Sequence, residues 1–190
     1  MRTLFARDPL ANPEPLIRRV YAFAAYRLGD GPDAEDVTSE VFERALRYRA
    51  TYDRSKGEPV AWLLGIARRC TSAALAARAD NPATLDDSPE IETPGFEEDS
   101  VRRLSIATAV AQLAEQDQEL IALRFGADLT AAQMAQILGS KTNAVEVALH
   151  RALARLRSIL ESESESESER EQSEAHPRKP SARTGSPEHA

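Results

Sequence analysis

The side chains best suited to binding chemistry lie between Gln118 and Arg157, where Lys141, Asn143, His150, Arg151 and Arg155 place cationic and hydrogen-bonding groups along one helical stretch. Ammonium and guanidinium groups neutralise phosphates, and an asparagine amide can pair with the edge of an adenine. The surrounding pattern predicts two short helices, Thr130 to Leu138 and Thr142 to Leu160, joined by a sharp turn at Gly139. Thr130 and Gln133 have the spacing of a capping box. If Val145, Leu149, Leu153 and Leu156 face a core, the outward side holds Asn143, Ala144, Val147, His150, Arg151 and Ala154, with Glu146 and Ala148 on the flanks. That is a DNA-docking shape. Its chemistry is less suited, because Glu146, Val147 and Ala148 stand where cations or hydrogen-bonding groups are expected. A carboxylate near phosphate adds repulsion, so weak direct duplex affinity is expected from this helix.

The rest of the chain supplies the elements that would position these groups. Apolar residues recur at Leu16, Ile17, Val20, Tyr21, Phe23, Ala24 and Leu28, the spacing of a helix with a broad buried face, and Gly29-Asp30-Gly31-Pro32 ends it. Asp33 is placed to cap the next helix, whose inner stripe is Val37, Val41, Phe42, Ala45 and Leu46. A polar connection from Tyr52 to Pro59 leads to a third helix, from about Val60 to Arg78. Further helices are predicted from about Ser105 to Leu113 and Asp117 to Phe125. The fold class that follows is all-α: two small helical bundles, residues 14–79 and 104–160, joined by a flexible acidic linker at 80–103. Residues 161–190 contain no aliphatic side chain larger than alanine and are expected to be a disordered tail rich in serine and glutamate.

Charge and composition narrow the function classes. The chain has 190 residues and a net charge of −7, which by itself argues against a nucleic-acid partner. The distribution reverses that inference. Eight carboxylates against two arginines make 80–103 strongly negative and the tail is acidic, while 14–79 carries 11 basic against 9 acidic residues and 104–160 is balanced. The single cysteine, Cys70, excludes an internal disulfide, and three histidines, two of them near the C-terminus, offer no clustered metal set. No phosphate-binding glycine loop, Ser-His-Asp set or pair of carboxylates in an evident pocket is present, so no catalytic residue, cofactor or metal is expected. The N-terminus, broken by Pro9, Pro13 and Pro15, has no secretory signal, and no apolar run predicts membrane insertion; a cytoplasmic protein is expected.

Two separate motif sets then occur in order. Tyr26-Arg27-Leu28-Gly29-Asp30, Asp33-Ala34-Glu35-Asp36-Val37, Glu40-Val41-Phe42, Ala61-Trp62-Leu63 and Ile66-Ala67-Arg68 form the first. Leu123-Arg124-Phe125, Met134 to Gly139 and Leu149 to Leu156 form the second. Together they resemble a bacterial RNA polymerase sigma factor of the extracytoplasmic-function type, over roughly residues 14–160. The resemblance implies that core RNA polymerase and promoter DNA are the partners. It implies a polymerase-binding helix carrying Asp33, Glu35, Asp36, Glu40, Glu43, Arg44 and Arg47. It assigns Asp53, Arg54, Lys56, Trp62, Arg68 and Arg69 to the minus-10 element, with the loop Asp53 to Glu58 capturing a melted base. It assigns Lys141, Asn143, Ala144, Val147, His150, Arg151 and Arg155 to the minus-35 element. Family members are often held inactive by an anti-sigma factor, which is therefore a third candidate partner. The chain departs from the family pattern at Arg69, where asparagine is usual, at the Ala-rich end of the third helix, and at Glu146 and Ala148. The leading reading is a factor directing promoter recognition and transcription initiation. The alternative is a degenerate helical protein that binds polymerase or another regulator without reading DNA.

Overall fold

Residues 8–80 and 105–174 are described by the computed structural model, with side chains considered to residue 166. Most of the expected linker and residues 175–190 of the expected tail lie outside them. The first three helices are α1 (Pro13–Leu28), α2 (Pro32–Tyr48) and α3 (Pro59–Asp80), with two short 3-10 turns, Arg49–Thr51 and Arg54–Lys56, between α2 and α3. Then come α4 over residues 105–111, α5 (Glu115–Ile121), which continues into a π-turn at Ala122–Gly126, α6 (Ala131–Leu138) and α7 (Thr142–Glu174). No strand occurs among the described residues.

Prolines and glycines set the boundaries of the first bundle. Proline stands in the opening turn of α1 and of α2, where its missing N–H costs no hydrogen bond. Gly29, at φ 90°, closes α1 and donates its N–H to the Ala25 carbonyl. Because α2 opens at Pro32, Gly31 is the capping residue, and no side chain among the described residues caps the helix. Asp33 falls inside the first turn and pairs with Arg78 of α3, which corrects the expectation that Asp33 is the cap. The inner face of α2 is Ala34, Val37, Thr38, Val41 and Ala45. Leu46 is instead 58% exposed. It lies about 100° around the helix from Ala45, one step off a stripe that runs in increments of four.

The two bundles share one core. Val20, Phe23 and Ala24 of α1, Val41 of α2 and Leu63, Leu64 and Ala67 of α3 belong to the same buried cluster as Leu123, Leu129, Met134 and Val145. The α1 helix lies along the π-turn, and α3 lies against α6. A smaller cluster, Val110, Leu113 and Ile121, is covered by Leu153, Leu156 and Ile159 of α7. Among the described residues α3 alone is long and apolar enough, by length and composition, to cross a membrane. It is the central helix of the first bundle, burying Val60, Leu63, Leu64, Ile66, Ala67, Cys70 and Thr71.

The last helix departs from expectation. α7 continues past Leu160, the expected end of the helix, to Glu174. Glutamate has good helix propensity, and the first turns of the Ser/Glu repeat grow from a helix already anchored by Leu153, Leu156 and Ile159. The hydroxyls of Ser162, Ser164 and Ser166 each donate to the carbonyl three residues earlier. Gln112 of the adjoining segment bonds Glu163 at 2.7 Å.

Candidate nucleic-acid interface

The helix-turn-helix is built from strong local signals. Thr130 Oγ1 accepts from the Gln133 N–H, and the Gln133 side chain accepts from the Thr130 N–H at 2.9 Å, closing the capping box that starts α6. Gly139, left-handed at φ 63°, ends it. The conformation favours a residue without Cβ and lets the chain reverse into α7. Met134, Ala135, Val145 and Ala152 are buried, and Leu138, Leu149 and Leu153 are half-buried. These fix the rotation of α7. Lys141, Asn143, Ala144, Glu146, Val147, His150 and Arg151 are exposed, as the helical spacing requires.

Two residues of α7, Ala148 expected on its flank and Arg155 expected to meet DNA, make contacts within the protein. Ala148 is half-buried and packs against the main core, so it belongs to the inward flank. Arg155 Nη1 bonds the buried Asp117 of α5 at 2.7 Å. That pair ties the recognition helix to its own bundle. Lys141 and Arg151, by contrast, have no ionic partner among the described residues.

In the first bundle, the connection between α2 and α3 is ordered by its own side chains. The Asp53 carboxylate accepts from the Ser55 N–H at 2.9 Å and the Ser55 hydroxyl at 2.7 Å, capping the Arg54–Lys56 turn. Those two bonds hold its carboxyl below the usual range. The Tyr52 hydroxyl donates to the Gly57 carbonyl at 3.0 Å, and its ring lies 5.6 Å from that of Trp62, tilted by 55°. Tyr52, Asp53, Lys56, Glu58 and Trp62 line a cavity of about 160 Å³. Trp62 thus serves both readings, half-buried against the core while presenting part of its ring to the cavity.

The opposite wall of this cavity is Gln136 and Ile137, from α6 of the second bundle. Arg68 is engaged by that bundle too, through Glu119 and the Ile137 carbonyl. Arg54, Lys56 and Arg69 are exposed. The structure therefore brings Asp53, Lys56 and Trp62 to one cavity, sets Arg69 beside its α6 wall, and turns Arg68 toward the second bundle.

On α2, Asp33, Glu35, Asp36, Glu43 and Arg47 are exposed, while Glu40 and Arg44 are half-exposed and paired with each other. Leu46 and Tyr48, exposed at 58% and 51%, add apolar area next to Arg47. Sequence reasoning missed both. The signal was available in Leu46, whose position is one residue off the Val37, Val41, Ala45 repeat. A charged surface with an exposed aliphatic and an aromatic fits a protein-binding face better than a purely solvated one.

Two family models match the chain. The Sigma-70 region 2 family model covers residues 14–79 and the Sigma-70, region 4 model covers residues 103–156. The ECF RNA polymerase sigma factor BldN of Streptomyces coelicolor is 33% identical over 150 residues, which are 74% of this chain and 56% of that protein. ShbA of Streptomyces griseus, also an ECF RNA polymerase sigma factor, is 34% identical over 166 residues, 81% of this chain and 86% of that protein. The fold is shared with sigma factor RpoE of Bartonella quintana, solved with the anti-sigma factor NepR, at a TM-score of 0.60 and 20% identity over 77% of this chain and 92% of that one. It is shared also with CnrH, solved with the cytosolic domain of CnrY, at a TM-score of 0.56 and 18% identity over 85% and 90% of the two chains. Both bundles are matched, which favours promoter recognition over a degenerate helical binder. The chain belongs to the ECF RNA polymerase sigma factors.

Proposed function

We propose that this chain binds core RNA polymerase through the exposed face of α2, directs it to promoters, and performs no covalent chemistry of its own. In this reading Asp33, Glu35, Asp36, Glu43 and Arg47 set the orientation of the polymerase contact, and Leu46 and Tyr48 supply its apolar part. The cavity of Asp53, Lys56 and Trp62 receives a base of the melted minus-10 element, with Arg54 and Arg69 on flanking phosphates. Lys141, Asn143, His150 and Arg151 make the minus-35 contact, which Glu146 weakens. Polymerase holds both bundles near the promoter, so weak contacts suffice through their high effective concentration. The observation that carries this assignment is the cavity beside Trp62, which joins an aromatic face, a cation and polar groups.

The site of action proposed is the bacterial cytoplasm, and an anti-sigma factor, as seen with RpoE of Bartonella quintana, is a proposed third partner. Run-off transcription with purified core enzyme and genomic fragments tests the function. Promoter-dependent initiation is expected. Trp62→Ala should reduce open-complex formation while leaving core binding intact. Absence of initiation from every fragment would overturn the reading.

A further inference from the structure

The outward stripe of α7 has an apolar residue at its centre. Val145 is buried at 3% exposure, whereas Val147, two residues on, is 43% exposed. Two residues turn an α-helix by about 200°, so the two valines point to nearly opposite sides. Asn143 and Arg151 lie four residues before and after Val147, and Ala144, His150 and Ala154 complete the same exposed face. The Val147 isopropyl group is thus framed by an amide, a guanidinium and an imidazole. Packing does not account for valine here, since Val147 belongs to neither apolar cluster. Helix propensity does not either, because a β-branched residue is a poorer helix former than alanine, lysine or glutamine.

The hydrogen-bonding capacity of this turn narrows what it can meet. Ionised Glu146 only accepts, and Val147 and Ala148 have no polar side-chain atom, so none of the three donates to the O6 and N7 acceptors of guanine. Base-pair edges in the major groove carry donors, acceptors and one methyl group, the 5-methyl of thymine. One valine and two alanines are too small an apolar area for a stable protein interface, whereas a single side chain is matched to a single base. We infer that Val147 reads a thymine of the minus-35 element through its 5-methyl group, which makes it a specificity-determining residue of the promoter contact. This inference rests on the proposed assignment of α7 to the minus-35 element. Discrimination works in both directions: thymine gains an apolar contact, and a guanine or cytosine edge at the same place leaves polar groups facing an isopropyl group without partners.

The test uses holoenzyme reconstituted from the full chain and core polymerase. Duplexes are selected from a pool randomised across the minus-35 position, and thymine should be enriched there on one strand. In a selected duplex each thymine is then replaced in turn by deoxyuridine, which removes the 5-methyl group and leaves every hydrogen bond in place. One replacement should weaken binding about fourfold, the effect of losing roughly one buried methyl group. The Val147→Ala chain, which lacks the two branch methyl groups, should bind the thymine and deoxyuridine duplexes equally, while Val147→Ile should keep the discrimination. Unchanged helicity by circular dichroism shows that both variants fold.

Arg151→Ala separates this inference from the assignment beneath it, since loss of that cation should lower duplex affinity wherever α7 meets DNA. Arg151-dependent binding that tolerates every deoxyuridine, or discrimination that survives in Val147→Ala, overturns the thymine reading alone. Binding indifferent both to Arg151 and to deoxyuridine, or selection that enriches no base at the minus-35 position, overturns the assignment of α7 and the thymine reading with it.

Discussion

Replacing Glu146 by lysine should strengthen the proposed minus-35 contact, and the exposure of Glu146 sets the size of the gain. Glu146 is exposed on the outer side of α7 with no ionic partner among the described residues, so its removal breaks no pair within the protein. For a side chain held about 7 Å from a phosphate in a medium close to water, one charge pair contributes about 0.6 kcal/mol. The reversal changes the charge by two, giving about 1.2 kcal/mol without screening, or about eightfold in affinity. At 0.1 M salt the Debye length of about 10 Å halves this, leaving about threefold. If the new ammonium also forms one phosphate contact, the salt dependence should steepen by about 0.9 in the log–log slope.

The assay is anisotropy of a labelled minus-35 duplex with the reconstituted holoenzyme, measured from low to high salt, with Glu146→Gln as a one-charge intermediate. The glutamine variant should show about half the free-energy change. Ala148→Arg is the contrasting case. Ala148 packs toward the core, so a cation there cannot reach DNA without disturbing Leu149 and its neighbours, and no comparable gain is expected. Equal affinities of the wild-type and lysine forms across the salt range would refute the electrostatic reasoning. A glutamine variant matching lysine in full would refute the charge count.

Other consequences follow from groups outside that helix. Thr71 is buried and its hydroxyl has no hydrogen-bond partner among the described residues, so Thr71→Val should be neutral or raise stability by about 1 kcal/mol in urea unfolding; a loss of that size would mean that the hydroxyl is satisfied in solution. Asp53 is held below the usual carboxyl range by Ser55, so its capping contribution is present at neutral pH and lost as pH falls through that lowered value; the Ser55 amide resonance should titrate with a midpoint below that of an unperturbed aspartate, and Asp53→Ala should abolish the titration. Truncation after Leu160 removes an acidic helical extension and should raise promoter affinity at low salt more than at high salt, with equal affinities at both showing that the extension does not compete with DNA.

The elements legible in the sequence are those fixed by neighbours in the chain. The Thr130–Gln133 capping box and the turn at Gly139 each depend on a few adjacent residues, and each took its expected place, whereas α2 opens at Pro32 and not behind the expected Asp33 cap. Spacing also gave the outward face of α7. The misreadings come from interactions that spacing does not encode. The π-turn at Ala122–Gly126 looks like uninterrupted helix in the sequence; its extra residue is accommodated where the chain packs on α1 and Gly126 meets Ala22. The end of α7 was placed at Leu160 because the Ser/Glu repeat buries nothing, yet a helix already nucleated needs only propensity to continue.

The arginines show the same limit at the level of function. Arg68 and Arg155 read equally well from the sequence as phosphate contacts, because a guanidinium near a DNA-facing element has few more economical explanations. Their partners, Glu119 and Asp117, lie 51 and 38 residues away and become neighbours only after the helices pack. The two pairs nevertheless differ in kind. Asp117 is buried and belongs to the same bundle as Arg155, so that pair braces α7 against α5. Glu119 is on the other bundle from Arg68, so that pair joins the two bundles. Arg155 is thus a strut within its own bundle, whereas Arg68 and Glu119 fix the placement of one bundle on the other.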